Sequence, residues 1–243
     1  LQEVGFKDLW GDHGIFTTMW IFGKPPKILF FENHIKNLIK SLKIYQVKKR
    51  SLKKDILEII NENLSKKVYY NHLLRVAVNK KIISISLRKR LNPKSNFNLK
   101  LVNLKREKPQ YKNLKYKKIL RHLSKIDNSK SDIGLVCKKM ILETGTSNLL
   151  FIRQNKIYTP TKGYYEGNTF KFVKSKIKKV IKKDIFIKDL KSYEEILLVG
   201  SGKGIASIKT IKQIGWKRKN LKKFKVLSKY YKSITNKCRP HRF

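Results

Sequence analysis

Acidic residues are scarce in this chain. Only 16 of its 243 residues are Asp or Glu, against 59 Lys or Arg, which gives a formal charge of +43. Cysteine is scarcer still. Cys137 and Cys238 are too few for a disulfide framework, so a reducing compartment, by default the cytoplasm, is expected. Apolar runs are short: none approaches the ~20 residues of a membrane-spanning helix. No basic stretch followed by an apolar one marks a secretory leader. No zinc-finger spacing occurs and no metal is expected. What is present is 40% hydrophobic and 11% aromatic residues, enough to build a core, so a disordered basic tail is excluded. The length suits one large domain or two modest ones.

Arginine is the second shortage. Only ten of the 59 basic residues are Arg, and the other 49 are Lys. Readers of nucleic acid favour Arg for its planar, bidentate fork. The lysines are also spread along the whole chain, from Lys36 and Lys40 through Lys117 and Lys118 to Lys222 and Lys225. Abundant Lys, Ile and Asn are how an AT-rich genome writes a protein. The basic surface therefore reads as background, and no specific nucleic-acid partner is expected, although the charge alone attracts polyanions.

Strand and helix signals alternate. Residues 27–31 read as a short strand. Ile35, Leu38, Ile39, Leu42 and Tyr45 recur at helical spacing, predicting a helix over 33–47. Ser51 is placed to cap a second helix carrying Leu52, Ile56, Ile59 and Ile60 on one face. Runs at 73–79, 82–87 and 99–104 are β-rich, predicting a small sheet on two helices that ends near residue 104. Residues 105–113 carry no apolar period and read as a linker. Beyond it, helices are predicted over 114–125, 168–182 and 220–235. Strands are predicted over 133–137, 149–152, 195–199 and 204–211, with a turn at Gln154-Asn155. The expected organisation is a small N-terminal domain (1–104), a linker (105–113) and a second domain (114–243).

The second half holds three turns suited to anions. Glu143-Thr144-Gly145-Thr146-Ser147-Asn148 is a hydroxyl-rich turn between two apolar runs. Gly163 to Thr169 opens a helix, and Gly200-Ser201-Gly202-Lys203-Gly204 follows an apolar strand. Exposed N–H groups at a helix start, with a hydroxyl, hold phosphate well. The last turn lacks the Gly-x-x-x-x-Gly-Lys-Ser/Thr spacing of a nucleotide P-loop. Glu143 is an acid in an apolar setting, and such a group needs a partner.

In order, these segments resemble the class IV aminotransferases, the fold-type IV pyridoxal-phosphate enzymes. Trp10-Gly11-Asp12-His13-Gly14-Ile15-Phe16-Thr17-Thr18 is similar to the family's "FGDGxFTT" signature. Phe31 to Leu38, with His34, is similar to its "H-x-x-R-L" helix, and His72 to Val78 to its third signature strand. Asn113-Leu114-Lys115 looks like the segment of the cofactor lysine. Glu143 to Phe151 is close to "E-x-x-x-S-N-L-F", Lys156 to Pro160 matches "hYTP", and Gly167-Asn168-Thr169 stands where the family has "G-I-T-R". Within the family, the "FTT" stretch and short length look most like the 4-amino-4-deoxychorismate lyases.

The resemblance implies an α/β (α+β) chain of two domains, a small N-terminal sheet-plus-helices domain and a larger, barrel-like α/β C-terminal domain. It implies pyridoxal 5'-phosphate as cofactor, a small amino-acid-type substrate, and a homodimer. Lys115 would carry the cofactor and move the substrate's α-proton. Glu143 would hold the pyridine nitrogen. Ser147, Asn148, Gly167, Asn168, Thr169, Gly200 and Ser201 would line the cofactor, and Arg75 and Phe16 the substrate. The activity implied is release of pyruvate to give 4-aminobenzoate for folate synthesis. Transamination of branched-chain or D-amino acids is the alternative within the family. A non-catalytic nucleic-acid binder and an inactive homologue are the competing expectations. Several polar family positions are changed: the helix Arg falls on Asn37, the Asn after the lysine on Lys118, the next polar residue on Ile119, and the Arg after the Gly-Ile-Thr turn on Phe170.

Overall fold

The structure is a computed structural model that describes residues 8–91 and 96–241. It divides into two compact units. The first takes in the chain up to Arg90, the segment Tyr111–Lys117 and the residues from Cys238. The second is Leu91–Gln110 with Lys118–Lys237. The residues expected to form a linker are shared between them, 105–110 going to the second unit and 111–113 to the first.

The first unit is a four-stranded antiparallel sheet with two helices. Its strands are β1 (Gly14–Gly23), β2 (Lys27–Ile28), β3 (Tyr70–Asn79) and β4 (Ile83–Lys89), in the order β2-β1-β3-β4. The helices are α1 (Phe31–Ile44) and α2 (Leu52–Asn63). β1 pairs with β3 along its whole length, from Gly14 opposite Asn79 to Gly23 opposite Tyr70. Ile15, Met19 and Ile21 of β1 join Ile35, Leu38 and Leu42 of α1 and Ile56 and Ile60 of α2 in one core. β1 escapes sequence reading because its other face carries Phe16, Trp20 and Phe22, which erases the two-residue alternation. The strand expected at 27–31 shrinks to two residues, since Phe30 turns into the left-handed region (φ 59°) and α1 starts at once. Ser51 is the N-cap of α2, at φ 31°, but its hydroxyl makes no capping bond.

The second unit is built on a nine-stranded mixed sheet. Its elements are β5 (Phe97–Asn103), α3 (Lys117–Leu123, whose first residue the first unit claims), β6 (Ser131–Cys137), β7 (Met140–Thr144), β8 (Asn148–Arg153), β9 (Lys156–Thr159), α4 (Asn168–Ser175), β10 (Val180–Lys182), β11 (Glu195–Gly200), β12 (Gly204–Ile211), β13 (Trp216–Lys217) and α5 (Lys222–Asn236). The strand order is β10-β9-β8-β11-β12-β5-β6-β7, with β13 on β12.

Two expectations are corrected here. The run at 99–104 is not the third strand of the small sheet. β5 lies parallel between β6 and β12, and Phe97 and Leu99 pack with Ile141, Phe151 and Ile208. Adjacent β-rich runs suggest hairpins, whereas β5 pairs parallel with the strand that follows across α3 and with β12, about a hundred residues on. The helix expected over 168–182 stops at Ser175, because Val180-Ile181-Lys182 pairs parallel with β9. The turn at Gln154-Asn155 is as expected: both residues have positive φ (48° and 62°) between the paired Arg153 and Lys156.

α5 is capped from outside. Its own N-cap residue, Leu221, offers no side-chain acceptor. Glu195, fully buried at the start of β11, accepts from the Lys223 and Phe224 N–H groups at 2.8 and 3.0 Å. A carboxylate on a helix N-terminus satisfies orphan donors and the helix dipole together.

Candidate active site

In the first unit the segment 111–117 is laid beside the start of β1. Phe16 N–H donates to the Lys112 carbonyl (2.8 Å), Leu114 N–H to Gly14 (3.0 Å), and Gly11 N–H to Leu114 (2.8 Å). Gly14 permits this approach: a Cβ there would collide with the Val78 carbonyl oxygen and with Leu114. Lys115 is thereby fixed just before α3, with Nζ donating to the Gly11 carbonyl at 2.8 Å. The next residue, Tyr116, stacks on Trp10 (5.5 Å between centroids) and meets Phe16 edge-on. Trp10 also meets Phe16 edge-on at 4.8 Å and lies 4.5 Å beneath the Arg75 guanidinium. Arg75 pairs with Asp8 at 3.0 Å. Phe16, Arg75 and the residue beside Lys115 therefore share one aromatic–cationic cluster.

Sequence reading missed a second guanidinium, Arg88. In the β3–β4 register Arg88 stands opposite Leu73 and Ser86 opposite Arg75, so the two arginines are diagonal neighbours on one sheet face. Crowding by surrounding side chains lowers the Arg88 pKa, and the positive charge of Arg75 lowers it further. The alternation Ser84, Ser86, Arg88 could have revealed it.

On the opposite face, toward the helices, Thr17 Oγ1 lies 2.6 Å from His34 Nδ1, both side chains buried. Burial, with Lys112 nearby, takes the His34 pKa down to about 3.

In the second unit Glu143 stands at the end of β7 with 2% exposure. Its Oε2 accepts from the Tyr165 N–H at 3.3 Å, and Oε1 lies 3.1 Å from Arg106 Nε, an ion pair buried on both sides. Arg106 is the partner that Glu143 requires. It was missed because it lies in the stretch read as linker. Burial pushes the Tyr165 phenol up, with Arg106 opposing.

Asn148 ties the first anion-type turn to the second. Its Nδ2 donates to the Tyr165 carbonyl (2.6 Å) and its Oδ1 accepts from the Gly167 N–H (3.2 Å). Gly167 is the N-cap of α4, where Asn168 and Thr169 are buried and Thr169 Oγ1, 1% exposed as a residue, has no hydrogen-bond partner among the described residues. The first turn also touches the third: a Cβ on Gly200 would lie 3.0 Å from Ser147 Oγ and 3.1 Å from the Thr146 carbonyl. The structure thus brings Glu143, Ser147, Asn148, Gly167, Asn168, Thr169 and Gly200, with Ser201 next to it, into connected turns of one unit. The changed positions are now explained in part. Phe170 and Ile119 are core residues, 0% and 2% exposed, and Phe170 meets Tyr164 edge-on at 6.0 Å.

The model of the class IV amino-transferase family matches residues 14–211 of this sequence. The chain belongs to that family. Among curated proteins none matches it. Solved class IV structures resemble it over most of its length. A candidate 4-amino-4-deoxychorismate lyase from Legionella pneumophila is 17% identical, with 96% of each chain covered and a TM-score of 0.75. A branched-chain aminotransferase from Thermoproteus uzoniensis, solved with norvaline, is 17% identical, covering 92% of this chain and 86% of its own, at 0.76. The pyridoxal-phosphate form of a branched-chain amino acid aminotransferase from Thermobaculum terrenum is 14% identical, covering 97% and 90%, at 0.75. At these identities the likeness is one of fold, and it bears out the expected α/β chain of a small sheet-plus-helices part and a larger α/β part, observed as a small antiparallel sheet and a larger mixed one. Among the described residues no group of His, Cys, Asp and Glu is placed to hold a metal, and no helix is long and apolar enough to cross a membrane.

Proposed function

We propose that this class IV protein is a pyridoxal-phosphate enzyme that releases pyruvate from 4-amino-4-deoxychorismate to give 4-aminobenzoate, a step toward folate. The observation that carries the cofactor is the buried Glu143 carboxylate, aligned by Arg106 and the Tyr165 N–H. The residues of the second unit fit the group: an aligned buried carboxylate suits a protonated pyridine nitrogen, and the unpartnered Thr169 hydroxyl at the N-terminus of α4 suits a phosphate.

When bound, pyridoxal phosphate supplies an electron sink for the carbanion left by loss of an α-proton. Glu143 would hold the pyridine nitrogen of the bound group, and Arg106 orients the Glu143 carboxylate for it. The Thr169 and Ser201 hydroxyls, with the N–H groups around Asn168 and Ser201, would hold the phosphate, while Ser147, Asn148, Gly167 and Gly200 shape those turns. Lys115, whose Nζ now donates to the Gly11 carbonyl, would anchor the cofactor covalently until the substrate's amine displaces it, and the Nζ so released as a free amine would take the proton from the substrate's α-carbon. Phe16 lines the substrate and Arg75 binds its carboxylate.

The second guanidinium favours the lyase over a transaminase of branched-chain or D-amino acids. Arg75 and Arg88 side by side suit a substrate with two carboxylates, and the Trp10–Phe16–Tyr116 cluster suits a ring. The same reading makes the protein a cytoplasmic homodimer. Two copies of a chain at +43 repel at low salt, so assembly should strengthen with ionic strength, and light scattering at two salt concentrations checks this. The decisive experiment is spectroscopic. Wild-type protein mixed with pyridoxal phosphate should develop the absorbance band of lysine-bound cofactor, and Lys115→Ala should lack it. No band in the wild type overturns the enzyme reading. Product analysis with aminodeoxychorismate against 2-oxo acids separates lyase from transaminase.

A further inference from the structure

Lys203 is the residue of the third turn that neither the family resemblance nor the proposed chemistry uses. Among the described residues it is the one buried lysine, at 8% exposure. Its Nζ lies 2.8 Å from Asp132 Oδ2 and 2.6 Å from Thr146 Oγ1, and 5.2 Å from the Phe97 ring centroid. Asp132, at the second position of β6, is fully buried. Its Oδ1 accepts from the Ile133 N–H at 2.8 Å, and its Oδ2 also faces the Thr144 and Thr146 hydroxyls at 2.9 and 2.7 Å. Thr144 Oγ1 in turn accepts from the Ser147 N–H at 2.8 Å. One ammonium–carboxylate pair thus joins three places far apart in sequence: the start of β6, the turn from Thr144 to Ser147, and the turn from Gly200 to Gly204.

The pair is charge-balanced, so Lys203 offers no net charge to an incoming anion. What it offers is order. Three of the five residues in the 200–204 turn are glycine, the residue with most backbone freedom to lose. Such a turn presents fixed N–H groups only when something pins it, and an internally satisfied buried ion pair pins strongly because breaking it strands a charge in the core.

We propose that Lys203 is a positioning residue: anchored on Asp132 and Thr146, it holds the Gly200–Gly204 turn against the Thr144–Asn148 turn and so pre-sets the N–H and hydroxyl groups of Gly200, Ser201 and Ser147 for the phosphate of the cofactor. The inference rests on the pyridoxal-phosphate reading for its ligand, but not for the ordering of the turn.

The test compares wild type with the double variant Asp132→Asn/Lys203→Met, which removes both charges and strands neither. Lys203→Met alone leaves Asp132 buried without its counter-charge and is expected to melt lower than the double variant. Affinities for pyridoxal phosphate and for pyridoxal, which lacks the phosphate, are measured well below each protein's melting temperature, and amide hydrogen exchange is followed at Ser201 and Gly202. The double variant should lose about tenfold in affinity for pyridoxal phosphate, the worth of one placed hydrogen bond, while its affinity for pyridoxal stays at the wild-type value. Ser201 and Gly202 should exchange at least ~10-fold faster. Unchanged exchange, or a double variant that binds both compounds like wild type, overturns the proposal and leaves the pair a core contact. Equal weakening toward both compounds overturns it too. If wild type binds neither compound while exchange at the turn still accelerates in the double variant, the cofactor reading fails and the ordering role of Lys203 stands.

Discussion

The two units solve the problem of buried polarity in opposite ways. The first buries groups that are mostly neutral: Thr17 against His34, with Ser41, Ser84 and Asn113. Its buried cation, Arg90, lies 4.0 Å over the Trp20 ring. The second buries full charges of both signs: Arg106 with Glu143, Lys203 with Asp132, and Glu195 on the N-terminus of α5. In a chain with only 16 acids, placing three of them at 2% exposure or less in one unit is a costly use of a rare resource. The difference matches the division of labour proposed above, in which the second unit holds the charged cofactor and the first supplies Lys115, Arg75 and Phe16. Burying charge to order turns makes sense where a charged cofactor must be met; a scaffold that presents aromatic rings and arginines on one sheet face needs only a neutral core behind it.

The contrast can be broken most sharply at Arg106. Arg106→Met removes the cation paired with the buried Glu143 carboxylate and should destabilise the protein by about 3–5 kcal/mol. Adding Glu143→Gln should recover much of that loss. Urea denaturation of the three proteins measures both steps, and a single variant as stable as wild type would mean that water already reaches Glu143.

The first unit's neutrality has its own test in pH. His34 titrates near 6.5 in the unfolded chain and at about 3 in the folded protein, lowered by burial and then by Lys112. The folded state therefore resists a proton that the unfolded state accepts. The His34 contribution is complete above pH 6.5 and is lost as pH falls from 6.5 toward 3, on the order of a few kcal/mol over that window. Melting curves from pH 7 to pH 4 should fall less steeply for His34→Gln than for wild type. Parallel slopes would remove His34 from the account.

A smaller effect is expected at Glu195. Glu195→Ala removes both acceptors from the N-terminus of α5 and should cost about 1–2 kcal/mol. It should also speed amide exchange at Lys223 and Phe224 before the rest of α5. Uniform acceleration along the helix would instead indicate lost docking of α5.

The same contrast governs what was legible in the sequence. α1 and α2 carry single apolar stripes, so α1 was readable to within two or three residues at each end and the start of α2 at Ser51, while β11 and β12 were readable nearly to the residue. β1 was not, because bulky residues occupy both its faces, and β5 was grouped with the strands before it, whereas it pairs parallel with β6 across α3 and with the distant β12. At the candidate site the hydroxyl- and glycine-rich turns were visible as turns. Their joining was not: Arg106 looked like linker and Lys203 like one lysine among 49, since a buried ion pair is written by two residues whose spacing carries no period. Arg88 hid in the same way within a basic run, and only the β3–β4 register sets it beside Arg75.

The smallest effect comes from a turn that carries none of these buried charges, which makes it a control on them. Gln154 and Asn155 both adopt left-handed backbone in the two-residue turn between β8 and β9. That geometry favours Asn followed by Gly, since Asn tolerates the left-handed region and Gly adopts it without strain. Gln154→Asn with Asn155→Gly keeps the Gln154 N–H bond to Glu194, because the backbone supplies it. The double change should raise stability by about 0.5–1 kcal/mol, through relief of strain that exceeds the added freedom of glycine in the unfolded chain. It should leave cofactor affinity and the pH slope untouched. A gain in urea midpoint with an unchanged slope would confirm a local effect, and a shift in cofactor affinity would show that the β8–β9 hairpin is coupled to the Asn148 end of β8.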